Sequence, residues 1–153
     1  MPTLSTPTLT LGATTNNKRD VTVAGNITFT ASDVGRTYRL EIKIFGEDKG
    51  DDSLPSDDAV GDDLLYTYLF PGSGIFLSFK NITVAAAGSM SYSEKRAIDT
   101  GKLDEDKGLV QVGEASIHTP VFMPRKDEVY ASVTVSTASV TKKSATVSSG
   151  IGV

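Results

Sequence analysis

The residues most able to do chemistry in this chain are carboxylates, and they are crowded into one segment. Between Gly46 and Asp63 stand Glu47, Asp48, Asp51, Asp52, Asp57, Asp58, Asp62 and Asp63, with Lys49 as the single base. Calcium takes about six to eight oxygens from carboxylates and carbonyls on a backbone flexible enough to wrap it. Glu47-Asp48-Lys49-Gly50-Asp51-Asp52 and Asp57-Asp58-Ala59-Val60-Gly61-Asp62-Asp63 supply such carboxylates, with glycines for tight turns. The spacing therefore nominates Asp51, Asp52, Asp57, Asp58, Asp62 and Asp63 as calcium ligands. The alternative is a solvated acidic loop that aids solubility and blunts nearby sheet edges. A second cluster, Asp104-Glu105-Asp106-Lys107-Gly108, opens like an EF-hand loop. Its glycine falls one place early and its twelfth position is Ala115, so it departs from that motif.

Other chemistry is sparse. His118, in Ile117-His118-Thr119-Pro120, is the one histidine, so any triad or imidazole metal site would rest on it alone. The chain has no cysteine, which removes disulfides, thiolate zinc sites and cysteine nucleophiles together. It has no G-x-S-x-G elbow, Walker A loop or dinucleotide fingerprint; Pro71-Gly72-Ser73-Gly74 is turn chemistry. Carboxylate pairs hydrolyse glycosides only at a fixed separation, which a loop holds poorly. We expect no enzyme. Asn26-Ile27-Thr28 and Asn81-Ile82-Thr83 match the glycosylation pattern, but both fall in strand-like sequence, where chance explains them better.

The elements that must position these groups read as strands. Val21, Val23, Ile27, Phe29 and Ala31 alternate with polar or small residues, as do Tyr38, Leu40, Ile42 and Ile44, and Val129, Ala131, Val133 and Val135. Period-2 alternation marks half-buried antiparallel strands, in contrast to the continuous apolar runs of parallel sheets. Weaker strand signals cover residues 8–13, 64–70, 75–80, 82–86, 109–112 and 144–149, with a parity switch near Lys80-Asn81 and a possible helical turn within 93–103. Turn residues separate these runs at Asn16-Asn17, Asp33-Val34-Gly35, Gly88-Ser89 and Lys107-Gly108. The fold class expected is all-β, an antiparallel two-sheet β-sandwich of seven to nine strands, immunoglobulin-like or jelly-roll-like in architecture. The stretch Asp127-Glu128-Val129-Tyr130-Ala131-Ser132-Val133 resembles the strand bearing the tyrosine corner of immunoglobulin and fibronectin type III domains. Tyr130 is out of phase with Val133 and Val135, and the Cys pair and core Trp are missing, so the likeness is one of architecture.

Composition narrows the partners. Net charge is −4; without the acidic segment, 11 acids and 14 bases remain, so the rest of the chain is formally +3. The net charge and a pI of about 4.9 argue against nucleic acid, and the absence of Trp weakens a sugar-stacking platform. Tyr66, Tyr68 and Phe70, beside Asp62 and Asp63, could still stack on a sugar, although inward aromatics of a strand are commoner. No stretch is apolar enough to span a bilayer, and the first residues carry no recognisable signal peptide. At 153 residues we expect one domain over 16–153, with its acidic loop at 46–63 and an extended arm or edge strand at 1–15. Residues 3–15 alternate Thr with Leu and Pro, and the last four are apolar. Such ends either exchange with other subunits or pair as outer strands of their own sandwich. The expectation is a non-enzymatic, self-associating structural subunit of a filament, surface layer, virion or tail, extracellular or at a surface. The alternative is a calcium-dependent module binding carbohydrate or a cell surface.

Overall fold

The computed structural model describes residues 1–46, 63–104, 109–116, 119–124, 127–137 and 140–149. Antiparallel pairing organises nearly all of them. The first sheet is built on β3 (Lys18–Phe29), which pairs along its whole length with β9 (Gly88–Asp99). On its other side β3 carries β2 (Thr8–Thr15) and, beyond the break at Ser5-Thr6-Pro7, β1 (Thr3–Leu4). The second sheet has β4 (Thr37–Gly46) and β12 (Asp127–Ser136) at its centre. Outside β4 lie β5 (Asp63–Thr67) and β8 (Lys80–Thr83); outside β12 lie β13 (Val140–Lys143) and β14 (Val147–Ser149). The pieces thus fill three strand positions in one sheet and four in the other. Among the described residues, two further hairpins pair only with themselves: β6 (Phe70–Pro71) with β7 (Phe76–Leu77), and β10 (Leu109–Ser116) with β11 (Thr119–Pro124). The expected all-β antiparallel sandwich is what the chain forms.

The alternating residues make the core. Val21, Val23, Ile27 and Phe29 of β3 face Tyr38, Leu40, Ile42 and Ile44 of β4 and Val129, Ala131, Val133 and Val135 of β12, all buried in one cluster. Burying a side chain of this size contributes about 1.5–3 kcal/mol, and β-branched residues suit the pleat. Tyr130 sits on the other face of β12, stacked on Phe45 at 5.5 Å under the Lys143 ammonium. Tyr68 links the sheets: its N–H donates to the Ile42 carbonyl (2.9 Å) and its hydroxyl to the Val21 carbonyl (2.6 Å). Burial pushes the Tyr68 phenol above its ordinary pKa.

Three local expectations change. Ala31 is exposed and opens a 3-10 turn (Ala31–Asp33) instead of extending β3, because Asp33 caps the turn from within. Asp33 is buried, accepting from the Tyr38 hydroxyl (2.6 Å), the Thr30 N–H (2.7 Å) and the Thr30 hydroxyl (2.8 Å). The helical turn is confined to α1 (Thr100–Leu103), and residues 93–99 belong to β9. β9 hid from the alternation test because its inward positions run Met90, Tyr92, Glu94, Arg96, Ile98, with two charges among the apolar residues. The parity switch near Lys80 is a break between β7 and β8. The turn expected at Asn16-Asn17 forms with both residues at positive φ, 52° and 59°, the conformation a two-residue hairpin needs. Among the described residues, no helix is long and apolar enough to cross a membrane.

Candidate functional site

The charges that interrupt β9 gather at one edge of the sandwich. Glu94, with a side chain only 16% exposed, accepts from the Lys80 ammonium at 3.2 Å and from Arg96 Nη1 at 3.4 Å. Arg96 spends its other donors on backbone: Nε and Nη2 donate to the Leu69 carbonyl (3.1 and 2.9 Å), and Nη1 to the Lys95 carbonyl. Its guanidinium also lies over the rings of Phe70 (5.1 Å) and Tyr68 (5.3 Å). Arg96 is therefore a clamp that fixes the chain where β5 hands over to β6. Inward charges on β9, whose outer edge is unpaired among the described residues, also discourage an added strand.

The clamp holds the β6–β7 hairpin as part of the wall of a cleft of about 470 Å³, whose lining includes Phe70, Pro71, Leu77, Phe79, Lys80 and Glu94. Pairing of Phe70 with Leu77 and of Pro71 with Phe76 sorts the hairpin into two faces. Phe70 and Leu77 turn toward the sandwich; Pro71 and Phe76 turn to solvent, with Leu69 on the same parity as Pro71. Phe76 is 72% exposed, Ile75 63% and Leu69 44%. The turn between them is tight. A Cβ on Gly72 would meet the Ile75 carbonyl oxygen at 2.9 Å, and Gly74 has φ +78°. Leu69, Ile75 and Phe76 are thus three large, exposed apolar side chains at or beside a glycine-tightened hairpin, and apolar groups exposed this close together are candidates for an interaction surface.

Asp51, Asp52, Asp57, Asp58 and Asp62 lie outside the described residues, as do Glu105, Asp106 and His118. Asp63 begins β5, exposed and paired with Gly46. Among the described residues, no three His, Cys, Asp or Glu side chains gather as a metal site. The aromatic row divides: Tyr68 and Phe70 are core, while Tyr66 is half-buried, edge-on to Tyr68 at 5.7 Å with the Lys102 ammonium over its other side. Only Tyr66 keeps a partly accessible ring. The terminal segment pairs within its own chain, with Leu4 in the core and Leu9 and Leu11 packed on it.

No protein-family model and no curated protein matches this chain. Among solved structures it is similar to a GH3 β-glucosidase of Bifidobacterium adolescentis, at 12% identity and a TM-score of 0.40. That match covers 98% of this chain and 17% of the glucosidase chain. A likeness at that level assigns no activity or substrate.

The residues that sequence reasoning passed over are Leu69, Ile75, Phe76, Lys80, Glu94 and Arg96. A signal for them existed. Ile75-Phe76 follows a Pro-Gly-Ser-Gly turn directly, and a hairpin tip is a poor place to bury two large side chains.

Proposed function

We propose that the chain is a non-enzymatic structural β-sandwich subunit that associates with further copies of itself. The observation that carries this is the exposed apolar display of Leu69, Ile75 and Phe76 on the clamped β6–β7 hairpin. Water disfavours such a patch by about 25 cal/mol per Å², and a second protein surface is the simplest cover for it. The pairing of β1 and β2 with β3, and the charges within the β9 edge, favour association through side chains over strand addition. The test is the mass in solution by light scattering after size-exclusion chromatography, across a hundredfold dilution series, with calcium and then with chelator. Mass rising with concentration supports the proposal, and calcium dependence would bring the acidic segment into the assembly. A 16.2 kDa monomer throughout would overturn it.

A further inference from the structure

Apart from any self-association, we infer that the cleft beside the β6–β7 hairpin is a calcium-independent binding site for a short carbohydrate, a mono- or disaccharide. Leu69, Ile75 and Phe76 do not line it, so the site does not depend on the exposed apolar residues. The cleft lies where the two sheets part. Lys80 of β8 pairs with buried Leu40, and Glu94 of β9 with buried Val23, so both side chains point inward from opposite sheets. They meet at 3.2 Å, and an ion pair bridges the sheets here in place of apolar packing.

These polar groups keep capacity to spare. The Glu94 carboxylate has about four acceptor positions and receives only Lys80 and Arg96, while the Lys80 ammonium has about three donors and gives one to Glu94. Asn81 and Ser73 also line the cleft; both are exposed, and their side chains have no hydrogen-bond partner among the described residues. Leu77 and Phe79 add half-buried apolar lining, and the Arg39 guanidinium, 4.3 Å from the Phe79 ring centre, steadies that ring.

That combination selects the ligand. Lys80 and Arg96 repel a cation, and a simple anion meets the Glu94 carboxylate. A wholly apolar molecule would cover Lys80, Asn81 and Glu94 without satisfying them. A sugar suits both kinds of lining, because its ring carbons offer an apolar face and its hydroxyls both donate and accept. The volume, about 470 Å³, lies within the range of roughly 300–1,000 Å³ usual for small-ligand sites. A hexose, with about a dozen heavy atoms at ordinary ligand efficiency, should bind with a Kd of roughly 1–5 mM.

The test is a titration of isotope-labelled protein with glucose, N-acetylglucosamine, cellobiose and lactose, read by amide NMR shifts, with sodium acetate as the charge control. At least one sugar should shift the amides of Ser73, Phe79, Lys80 and Asn81 saturably, equally with calcium or with chelator. Asn81→Ala should weaken that sugar at least about fivefold at an unchanged melting temperature, because the lost amide makes no bond within the described protein. Phe76→Ser should bind as the parent does. Shifts confined to other surfaces, equal shifts from acetate, loss of binding in chelator, or undiminished binding by Asn81→Ala would each overturn the site. So would the absence of a saturable shift from every sugar at about ten times the expected Kd. Sugar binding here by a protein that stays monomeric at every concentration would support the site and overturn self-association alone.

Discussion

Replacing Tyr92 by Phe should make this protein more stable. Tyr92 pairs with Gly25 across β9 and β3 and is 6% exposed. Its hydroxyl is buried and has no hydrogen-bond partner among the described residues. Burial alone pushes its phenol up to about 12. An unsatisfied buried hydroxyl costs about 1–3 kcal/mol relative to its hydrated state in the unfolded chain. Removing it leaves a gap the size of one oxygen, roughly 10 Å³, worth only about 0.2 kcal/mol as a cavity. The net gain is therefore about 1–3 kcal/mol, or roughly 2–12 °C in melting temperature for a chain of this length. Urea unfolding followed by circular dichroism should show a higher midpoint at unchanged slope. Gly25 supplies a control, because a Cβ there would sit 2.6 Å from the Tyr92 oxygen, 2.9 Å from Cζ and 3.1 Å from Cε1. Gly25→Ala should cost about 1–3 kcal/mol in the parent and measurably less alongside Tyr92→Phe, since the closest clash is gone. A Tyr92→Phe variant less stable than the parent by about 1 kcal/mol or more would show that the hydroxyl is satisfied in the folded protein, and the reasoning would fail.

The other predictions follow from single contacts. The hydrogen bond from Tyr38 holds the Asp33 carboxyl well below the usual range, helped by the Thr30 N–H and hydroxyl and opposed by burial. Its stabilising share is present above the ordinary carboxylate pKa and is lost as pH falls below it; Asp33→Asn should therefore be less stable than the parent at pH 7, with the gap closing in acid, as read by melting temperature against pH. Ile42→Asp puts an unpaired charge at a fully buried position of β4, a cost comparable with the whole stability of a domain; circular dichroism should show an unfolded chain. Arg96→Ala frees the Leu69 carbonyl and uncovers Phe70; it should cost about 1.5–3 kcal/mol and speed amide hydrogen exchange in the β6–β7 hairpin ahead of the rest of the sandwich.

Much of this fold was legible because three strands obey alternation where they are buried, with Gly25 the one inward position among them that carries no apolar side chain. Val21–Phe29, Tyr38–Ile44 and Val129–Val135 name the central strands of both sheets, and every inward apolar residue in those runs is in the core. β9 was missed because alternation is read through hydrophobicity, and Glu94 and Arg96 neutralise each other at inward positions that look polar in sequence. Ala31 was over-read because a small residue fits a strand and a turn equally well; the deciding group, Asp33, acts through a tertiary contact with Tyr38. The exposed apolar residues beside and on the β6–β7 hairpin were less legible still. Residue type alone does not separate Leu69, Ile75 or Phe76 from Phe70 and Leu77; the Pro-Gly-Ser-Gly turn before Ile75-Phe76 marks the hairpin tip, and the folded chain shows which of them meet water.

The pairing of β4 with β12 also shapes how the chain is made. Ile42 pairs with Val133 and Leu40 with Val135, so the central contact of the second sheet closes over some ninety residues. The β2–β3 hairpin forms from neighbours as soon as both have left the ribosome, and β5 and β8 follow soon enough to cover one edge of β4, but its other edge waits some ninety residues for β12. During that wait its apolar row, Tyr38, Leu40, Ile42 and Ile44, is available to anything nearby. Contacts this distant in sequence fold in milliseconds to seconds. A holding chaperone that engages β4 until β12 emerges would raise the yield of folded protein, and overproduction faster than such help is supplied would send the chain into inclusion bodies.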